Sequence, residues 1–153
     1  MVPVSDIVTM TPTAVAGRLR LATTRLARRL RQQSDADLTP TQTAFLATIG
    51  NRGPLPVGAL AAEEHVTAPT ATKIVDKLHE AGLVARSTHP DDRRVTQVAL
   101  TPAGDALLAE LRAAKTAWLA QRLAELPADD LARLTAALDV LEGLTAPPGT
   151  DAP

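Results

Sequence analysis

Residues 55–104 read LPVGALAAEEHVTAPTATKIVDKLHEAGLVARSTHPDDRRVTQVALTPAG, and the order of elements within this stretch decides the fold. A short helix is expected over about Val57 to Glu64, with Leu60 and Ala61 on its inner face. His65-Val66-Thr67 then makes a turn. A second helix follows from about Ala68 to Ala81, with Thr67 as its cap and Pro69 tolerated in the first turn. Ile74, Val75 and Leu78 form its inner face, and Gly82 suits its end. From Leu83 the period changes. Leu83 to Thr88 and Val95 to Leu100 alternate or carry β-branched residues, and they flank the polar connector His89-Pro90-Asp91-Asp92-Arg93-Arg94. Its Pro-Asp turn chemistry predicts a β-hairpin with an extended, charged tip. Two short helices, a tight turn and a basic-tipped hairpin make a winged helix-turn-helix plan.

Working outward, the rest of the chain reads as helix. Val15, Leu19, Ala22, Leu26 and Leu30 recur at three- and four-residue spacing, predicting a helix over 13–33 with one buried stripe. Arg18, Arg25, Arg28, Arg29 and Arg31 occupy its other faces, which suits a solvated basic helix, phosphate contact or ligand contact. Thr39-Pro40-Thr41-Gln42 is a strong start signal: Thr39 caps, Pro40 fits the first position and Gln42 can close a capping box. That helix ends at Gly50-Asn51-Arg52-Gly53-Pro54. Beyond the hairpin, Thr101-Pro102 opens a long helix with Leu107, Leu108, Leu111, Ala114, Trp118, Leu119 and Leu123 along one side. Pro127 breaks it. Asp129 and Asp130 suit the positive end of a last helix, in which Leu131, Leu134, Leu138 and Leu141 recur with near-heptad spacing. The expected fold is mainly α with a small β-hairpin wing, six helices in all. Residues 146–153 are expected to be a disordered tail.

Composition narrows the function. The 153 residues contain no cysteine, so disulfides, thiolate metal sites and thiol redox switches are excluded. One Phe, one Trp and no Tyr argue against single-strand or RNA binding, which relies on aromatic stacking. No signal peptide and no membrane-length apolar run is seen, so a cytoplasmic location is expected. His65, His79 and His89 lack metal-ligand spacing, and neither a metal nor another cofactor is expected. There is no nucleophile elbow, phosphate loop or His-Glu-x-x-His, and the adjacent pairs Glu63-Glu64 and Asp91-Asp92 do not read as carboxylates facing across a cleft. An enzyme is not expected. The net charge of −1 is unevenly spread: residues 1–100 carry +3 and residues 101–153 carry −4. That asymmetry fits separate nucleic-acid and assembly surfaces.

The physical case for double-stranded DNA rests on shape. A major groove about 12 Å wide admits one α-helix, and an Arg on a thin hairpin can reach the neighbouring minor groove. On the helix after the turn, Thr70, Thr72 and Lys73 are placed to reach base edges, and Lys77 is better placed for a phosphate. The same lysines also suit an ordinary solvated face partly neutralised by Asp76 and Glu80. Six basic and six acidic residues between Arg52 and Arg94 keep open a winged-helix module that contacts only proteins.

The stretch from Leu55 to Gly104 resembles the DNA-binding part of the MarR family of bacterial regulators. Three pieces carry the likeness. Ile74 to Arg86 resembles the end of the family's recognition helix and its entry into the wing, Asp92-Arg93-Arg94 its Asp-x-Arg wing motif, and Leu100-Thr101-Pro102-Ala103-Gly104 its Leu-Thr-x-x-Gly step. The helices match in number and order, so the likeness covers nearly the whole chain. It implies a single MarR-like domain over 1–153, with 39–100 as the DNA-binding region and 13–33 and 101–145 as dimerisation helices. It further implies that Arg94 enters the minor groove, that Asp92 holds it by a charge-assisted hydrogen bond, and that Arg93 touches a phosphate. Asp92 and Arg94 also suit a local salt bridge that only stiffens the loop. Two departures stand out. Pro56 replaces the usual Ser or Thr cap, and Ala68-Pro69 makes the first recognition turn apolar, so base contact there is expected to rest on Thr70, Thr72 and a thymine methyl packed against Pro69 or Ala68. The resemblance also implies a homodimer acting as a repressor, and a small organic effector lined by Leu30, Phe45, Ile49, Leu107, Leu111 and Trp118, although apolar residues at helical spacing need no ligand and read first as plain core.

Overall fold

The computed structural model describes residues 10–33 and 37–145; the expected tail at 146–153 lies outside them. The chain divides into two compact units, Met1–Thr116 and Ala117–Pro153. The elements run α1 (Pro12–Arg31), α2 (Pro40–Arg52), β1 (Leu55–Pro56), α3 (Val57–Glu63), α4 (Ala68–Glu80), β2 (Val84–Thr88), β3 (Thr96–Leu100), α5 (Pro102–Ala124) and α6 (Ala128–Thr145). No described helix is long and apolar enough to cross a membrane.

Local chemistry sets most of these boundaries. Thr11 accepts the Ala14 N–H at 3.3 Å and Pro12 occupies the first turn, so α1 starts one residue earlier than its periodicity predicts. The capping box at α2 is complete: the Gln42 N–H donates to Thr39 Oγ1 at 3.2 Å, and the Thr39 N–H donates to Gln42 Oε1 at 2.8 Å. Helix α3 has Pro56 at its cap position and no side-chain cap bond. The turn between α3 and α4 places His65 at φ +53°, a left-handed conformation that side chains other than glycine adopt only at a cost.

The hairpin expected from the alternating pattern is present, with Val84 opposite Leu100 and Thr88 opposite Thr96. A third strand joins it. Leu55 and Pro56 pair antiparallel with Val98 and Gln97, giving the order β1-β3-β2. A two-residue strand containing a proline carries no alternation, and Pro there reads as a breaker.

The core lies in the first unit. Phe45, Leu46, Ile49, Leu60, Val75, Leu78, Val84 and Val98 are fully buried, so the helix-turn-helix and the wing share one apolar centre. Ala71 joins Val75 and Leu78 on the buried side of α4, whereas Ile74 is only half-buried. One expectation is overturned: no α1 residue is buried, and Val15 and Leu26 are 47% and 42% exposed. Periodicity identifies an apolar face but not what covers it. The second unit holds the end of α5, where Arg122 lies 5.5 Å from the Trp118 ring centre, and all of α6. Along α6, Leu131, Leu134 and Leu138 remain 36–46% exposed.

The step from wing to α5 is closed by Thr101 and Gly104. The Thr101 hydroxyl donates to the Gly82 carbonyl at 2.6 Å and accepts the Gly104 N–H at 3.1 Å, while the Thr101 N–H donates to the Leu83 carbonyl at 3.1 Å. Only glycine fits at 104, because a Cβ there would stand 2.0 Å from the Leu83 oxygen. The Leu-Thr-x-x-Gly signature is thus a clasp that fixes the start of the wing to the first turn of α5.

Candidate nucleic-acid interface

Burying Ala71, Val75 and Leu78 turns the opposite face of α4 to solvent. Pro69, Thr70, Thr72, Lys73 and Lys77 are all exposed and sit on or beside that face. Two hydroxyls already have local partners: Thr70 Oγ1 lies 2.9 Å from Thr67 Oγ1, and Thr72 Oγ1 donates to the Ala68 carbonyl at 2.9 Å. Each retains lone pairs for a further bond. Lys73 and Lys77 make no ion pair among the described residues. Asp76, one of the two acids that could partly neutralise these lysines, pairs with Arg86 on β2, and Glu80 remains exposed on the same helix. That pair ties the recognition helix to the wing strand. His79 adds a second tie, its Nδ1 lying 3.0 Å from the Val84 carbonyl oxygen.

The wing tip is held by its own backbone. The His89 N–H donates to Val95 O at 2.8 Å, the Val95 N–H to Asp92 O at 3.0 Å, and the Asp91 N–H to His89 Nδ1 at 3.1 Å. Asp92 Oδ1 accepts the Arg94 N–H at 3.0 Å and lies 3.5 Å from Arg94 Nε. The carboxylate therefore grips the backbone and the root of the guanidinium together, leaving the Arg94 side chain 94% exposed. Arg93 is exposed and makes no ion pair among the described residues. The adjacent glutamates are also placed: Glu63 pairs with Arg52, and Glu64 accepts the Thr48 hydroxyl, bracing α3 against α2.

Sequence reasoning did not single out Arg86, which ties α4 to the wing strand. Its partner lies ten positions away across the Gly82 turn, so no helix or strand periodicity links them. An acid at Asp76 beside Lys73 and Lys77 on the same helix was the available signal.

The six residues expected to line an effector site differ in burial and in unit. Phe45, Ile49 and Leu111 are core, Leu30 and Leu107 are half-buried, and Trp118 belongs to the second unit. A cavity of about 260 Å³ lies among Arg31, Leu38, Pro40, Thr43, Ala44, Ala47 and Lys115. Two cations at an apolar wall suit a small organic anion. Among the described residues, no three His, Asp or Glu side chains converge as a metal site would require.

Comparison with known proteins agrees with this geometry. The sequence model of the MarR family matches residues 38–96. An uncharacterised HTH-type transcriptional regulator of Mycobacterium bovis is 35% identical over 131 residues, covering 85% of this chain and 92% of the relative. The HTH-type transcriptional repressor MdtR of Bacillus subtilis is 33% identical over 104 residues, covering 66% of this chain and 67% of its own length. Among solved structures, a MarR family protein from Bacillus stearothermophilus superposes with a TM-score of 0.74 at 25% identity, covering 89% of this chain and 98% of that one.

Proposed function

This chain belongs to the MarR family of winged helix-turn-helix regulators, and from that membership we propose that it acts as a homodimeric repressor on a pseudo-palindromic operator. It is thereby a DNA-binding transcription regulator and not an enzyme. In the proposed complex the outward face of α4 enters the major groove, with Pro69, Thr70, Thr72 and Lys73 toward base edges and Lys77 toward a phosphate. Arg94 reaches the adjacent minor groove, aimed by Asp92, and Arg93 meets the backbone. The observation that carries this reading is the Arg94 side chain, 94% exposed yet anchored at its root by Asp92. An unanchored arginine would lose more rotamer freedom on binding.

The apolar rows left exposed on α1 and α6 support the dimer, because contiguous apolar surface of this kind usually marks an interface. Two heads about 34 Å apart would read half-sites one helical turn apart. Such a dimer would act in the cytoplasm, where it would block a promoter; the relative MdtR is named a transcriptional repressor. An organic anion in the cavity beside Arg31 and Lys115 would release it by favouring a different head spacing, limited by its differential affinity for the two states.

Selection from a random duplex library at near-physiological salt, followed by titration of the winner against a scrambled duplex, tests the proposal. Wild type should prefer the selected site, and Arg94→Ala should weaken that binding on the order of tenfold. Enrichment of no sequence would refute the operator reading. An unchanged preference in the variant would remove Arg94 from the contacts.

A further inference from the structure

The start of α4, from Ala68 to Lys73, holds no Arg, Asn, Gln, Asp or Glu. Arg, Asn and Gln are the side chains that read guanine and adenine bidentately in the major groove, and acids accept from cytosine. What stands there instead is apolar or half-apolar: the Ala68 methyl, the Pro69 ring and the Thr70 and Thr72 side chains, all exposed. Helical projection from the buried Ala71, Val75 and Leu78 puts Pro69 near the middle of the outward face, flanked by Thr70 and Thr72. Lys73 follows Pro69 on the same line one turn later.

The polar groups on this surface are already engaged in part. Thr72 Oγ1 donates its only proton to the Ala68 carbonyl at 2.9 Å, so toward a base Thr72 keeps a methyl and lone pairs but no donor. Thr70 Oγ1 lies 2.9 Å from Thr67 Oγ1, and the Thr70 N–H donates to that same oxygen at 3.4 Å, which ties Thr70 to the helix cap. Two further donors beside the face are also held, Arg86 by Asp76 and His79 by the Val84 carbonyl.

Each base edge can be weighed against such a surface. Guanine offers two acceptors and adenine an acceptor beside a donor, and neither finds a bidentate partner on this stretch of α4. Cytosine offers the N4 donor, which a Thr lone pair can accept, but its C5 is bare. Among the four bases thymine alone offers a C5 methyl. Packing that methyl against the Pro69 ring and the Thr methyls removes apolar surface from water on both sides. Arg94 points the same way: it carries donors only, and the minor-groove floor of an A·T pair shows only acceptors, whereas G·C adds the N2 donor.

We propose that the start of α4 reads its half-site through pyrimidine C5 methyls, with thymine packed against Pro69, Thr70 and Thr72, and with Lys73 as the first charged contact beyond them. The inference rests on the DNA-binding reading above and adds the chemistry by which bases are told apart. It carries a consequence for modified DNA. 5-Methylcytosine presents the same methyl as thymine, so methylation of a cytosine at such a position strengthens binding instead of blocking it.

A single-methyl scan of the library-selected duplex, with the full chain, tests the proposal. Each thymine is replaced in turn by uracil, which deletes the C5 methyl and leaves every hydrogen-bonding edge in place. At the thymines under α4 the dissociation constant should rise about fourfold for one half-site, and on the order of fifteenfold when both are changed. At the same positions a duplex with 5-methylcytosine should bind about fourfold tighter than one with cytosine. Pro69→Ala/Thr72→Ser removes the ring and one methyl but keeps the hydroxyl that bonds Ala68, and it should bring the uracil-to-thymine ratio of dissociation constants close to one. Uracil within about twofold of thymine at every position, in a site still preferred over a scrambled duplex, would overturn methyl reading and leave the DNA-binding reading standing. A selected site without thymine in either half would do the same. A ratio undiminished in the variant would place the methyl contact elsewhere and overturn its assignment to α4. Enrichment of no sequence at all would overturn the operator reading itself, and this inference with it.

Discussion

Replacing Gly104 by alanine tests the clasp between wing and α5. The new Cβ would stand 2.0 Å from the Leu83 carbonyl oxygen and 2.9 Å from its carbon, both backbone atoms. Ordinary carbon–oxygen contacts begin near 3.3 Å, so one segment must move by about 1 Å or more. That movement pulls on the Thr101 N–H bond to Leu83 and the Thr101 hydroxyl bond to Gly82. Losing both is worth about 2 kcal/mol and the overpacking another 1–3 kcal/mol. Alanine's better helix propensity returns at most about 1 kcal/mol. The net expectation is a destabilisation of about 2–4 kcal/mol. For a chain of this length the melting temperature should fall by roughly 5–12 °C, read by circular dichroism at fixed protein concentration. DNA binding should fall with it, because Leu83 leads directly into the wing. Gly143→Ala is the matched control: its Cβ meets nothing within 4 Å, and it should leave stability unchanged or raise it by up to about 1 kcal/mol. If Gly104→Ala melts within a degree of wild type and still binds the operator, the clasp is not tight and the argument fails.

Three further outcomes follow from local geometry. Thr39→Ala removes one half of the α2 capping box and should cost about 1 kcal/mol in urea denaturation, with Thr39→Ser retaining most of it; equal stability of Thr39→Ala and wild type would refute the cap's role. His65→Gly should be neutral or stabilising, whereas His65→Val, forced to the same positive φ, should lose about 1–2 kcal/mol; the reverse order would show that the turn is not strained. Asp76→Asn should change stability by less than about 1 kcal/mol, since its pair with Arg86 is part-exposed. The same variant frees Arg86 and removes a carboxylate from the recognition face, so binding to scrambled DNA should tighten and its salt dependence steepen by about one phosphate contact.

What the sequence made legible was whatever short-range chemistry decides. Thr39-Pro40-Thr41-Gln42 announces a helix start because all partners in its capping box lie within four residues. The change from helical to alternating period at Leu83 announces the wing, and Thr101 to Gly104 announces the start of α5 because the Gly104 N–H donates to the Thr101 hydroxyl three residues back. Features that depend on distant residues stayed hidden. Strand β1 exists only because β3 passes beside Leu55 and Pro56. Arg86 finds Asp76 through the turn at Gly82, and the 260 Å³ cavity is a gap between α2, the end of α1 and Lys115 that no single segment encodes. The α1 stripe is the instructive error: its spacing shows correctly that one face is apolar, yet within the chain that face stays exposed.

The same distinction resolves how a chain of net charge −1 can face DNA. Between Arg52 and Arg94 the six basic and six acidic residues cancel as a sum, but DNA responds to charge within a Debye length of about 8 Å. Position decides. Glu63 is matched by Arg52 and Glu64 by the Thr48 hydroxyl, both in the bracing between α2 and α3. Asp76 is matched by Arg86, and Asp92 spends its charge at the root of Arg94 while the rest of that side chain extends into solvent. Lys73, Lys77 and Arg93 are left without an acidic partner among the described residues. Four of the six acids therefore have local partners; the other two, Glu80 on α4 and Asp91 at the wing tip, share those elements with Lys73, Lys77 and Arg93, which leaves them only a small positive excess. A near-neutral sum with a small positive excess on the reading elements lowers non-specific attraction to any polyanion, a combination suited to discriminating one site among many.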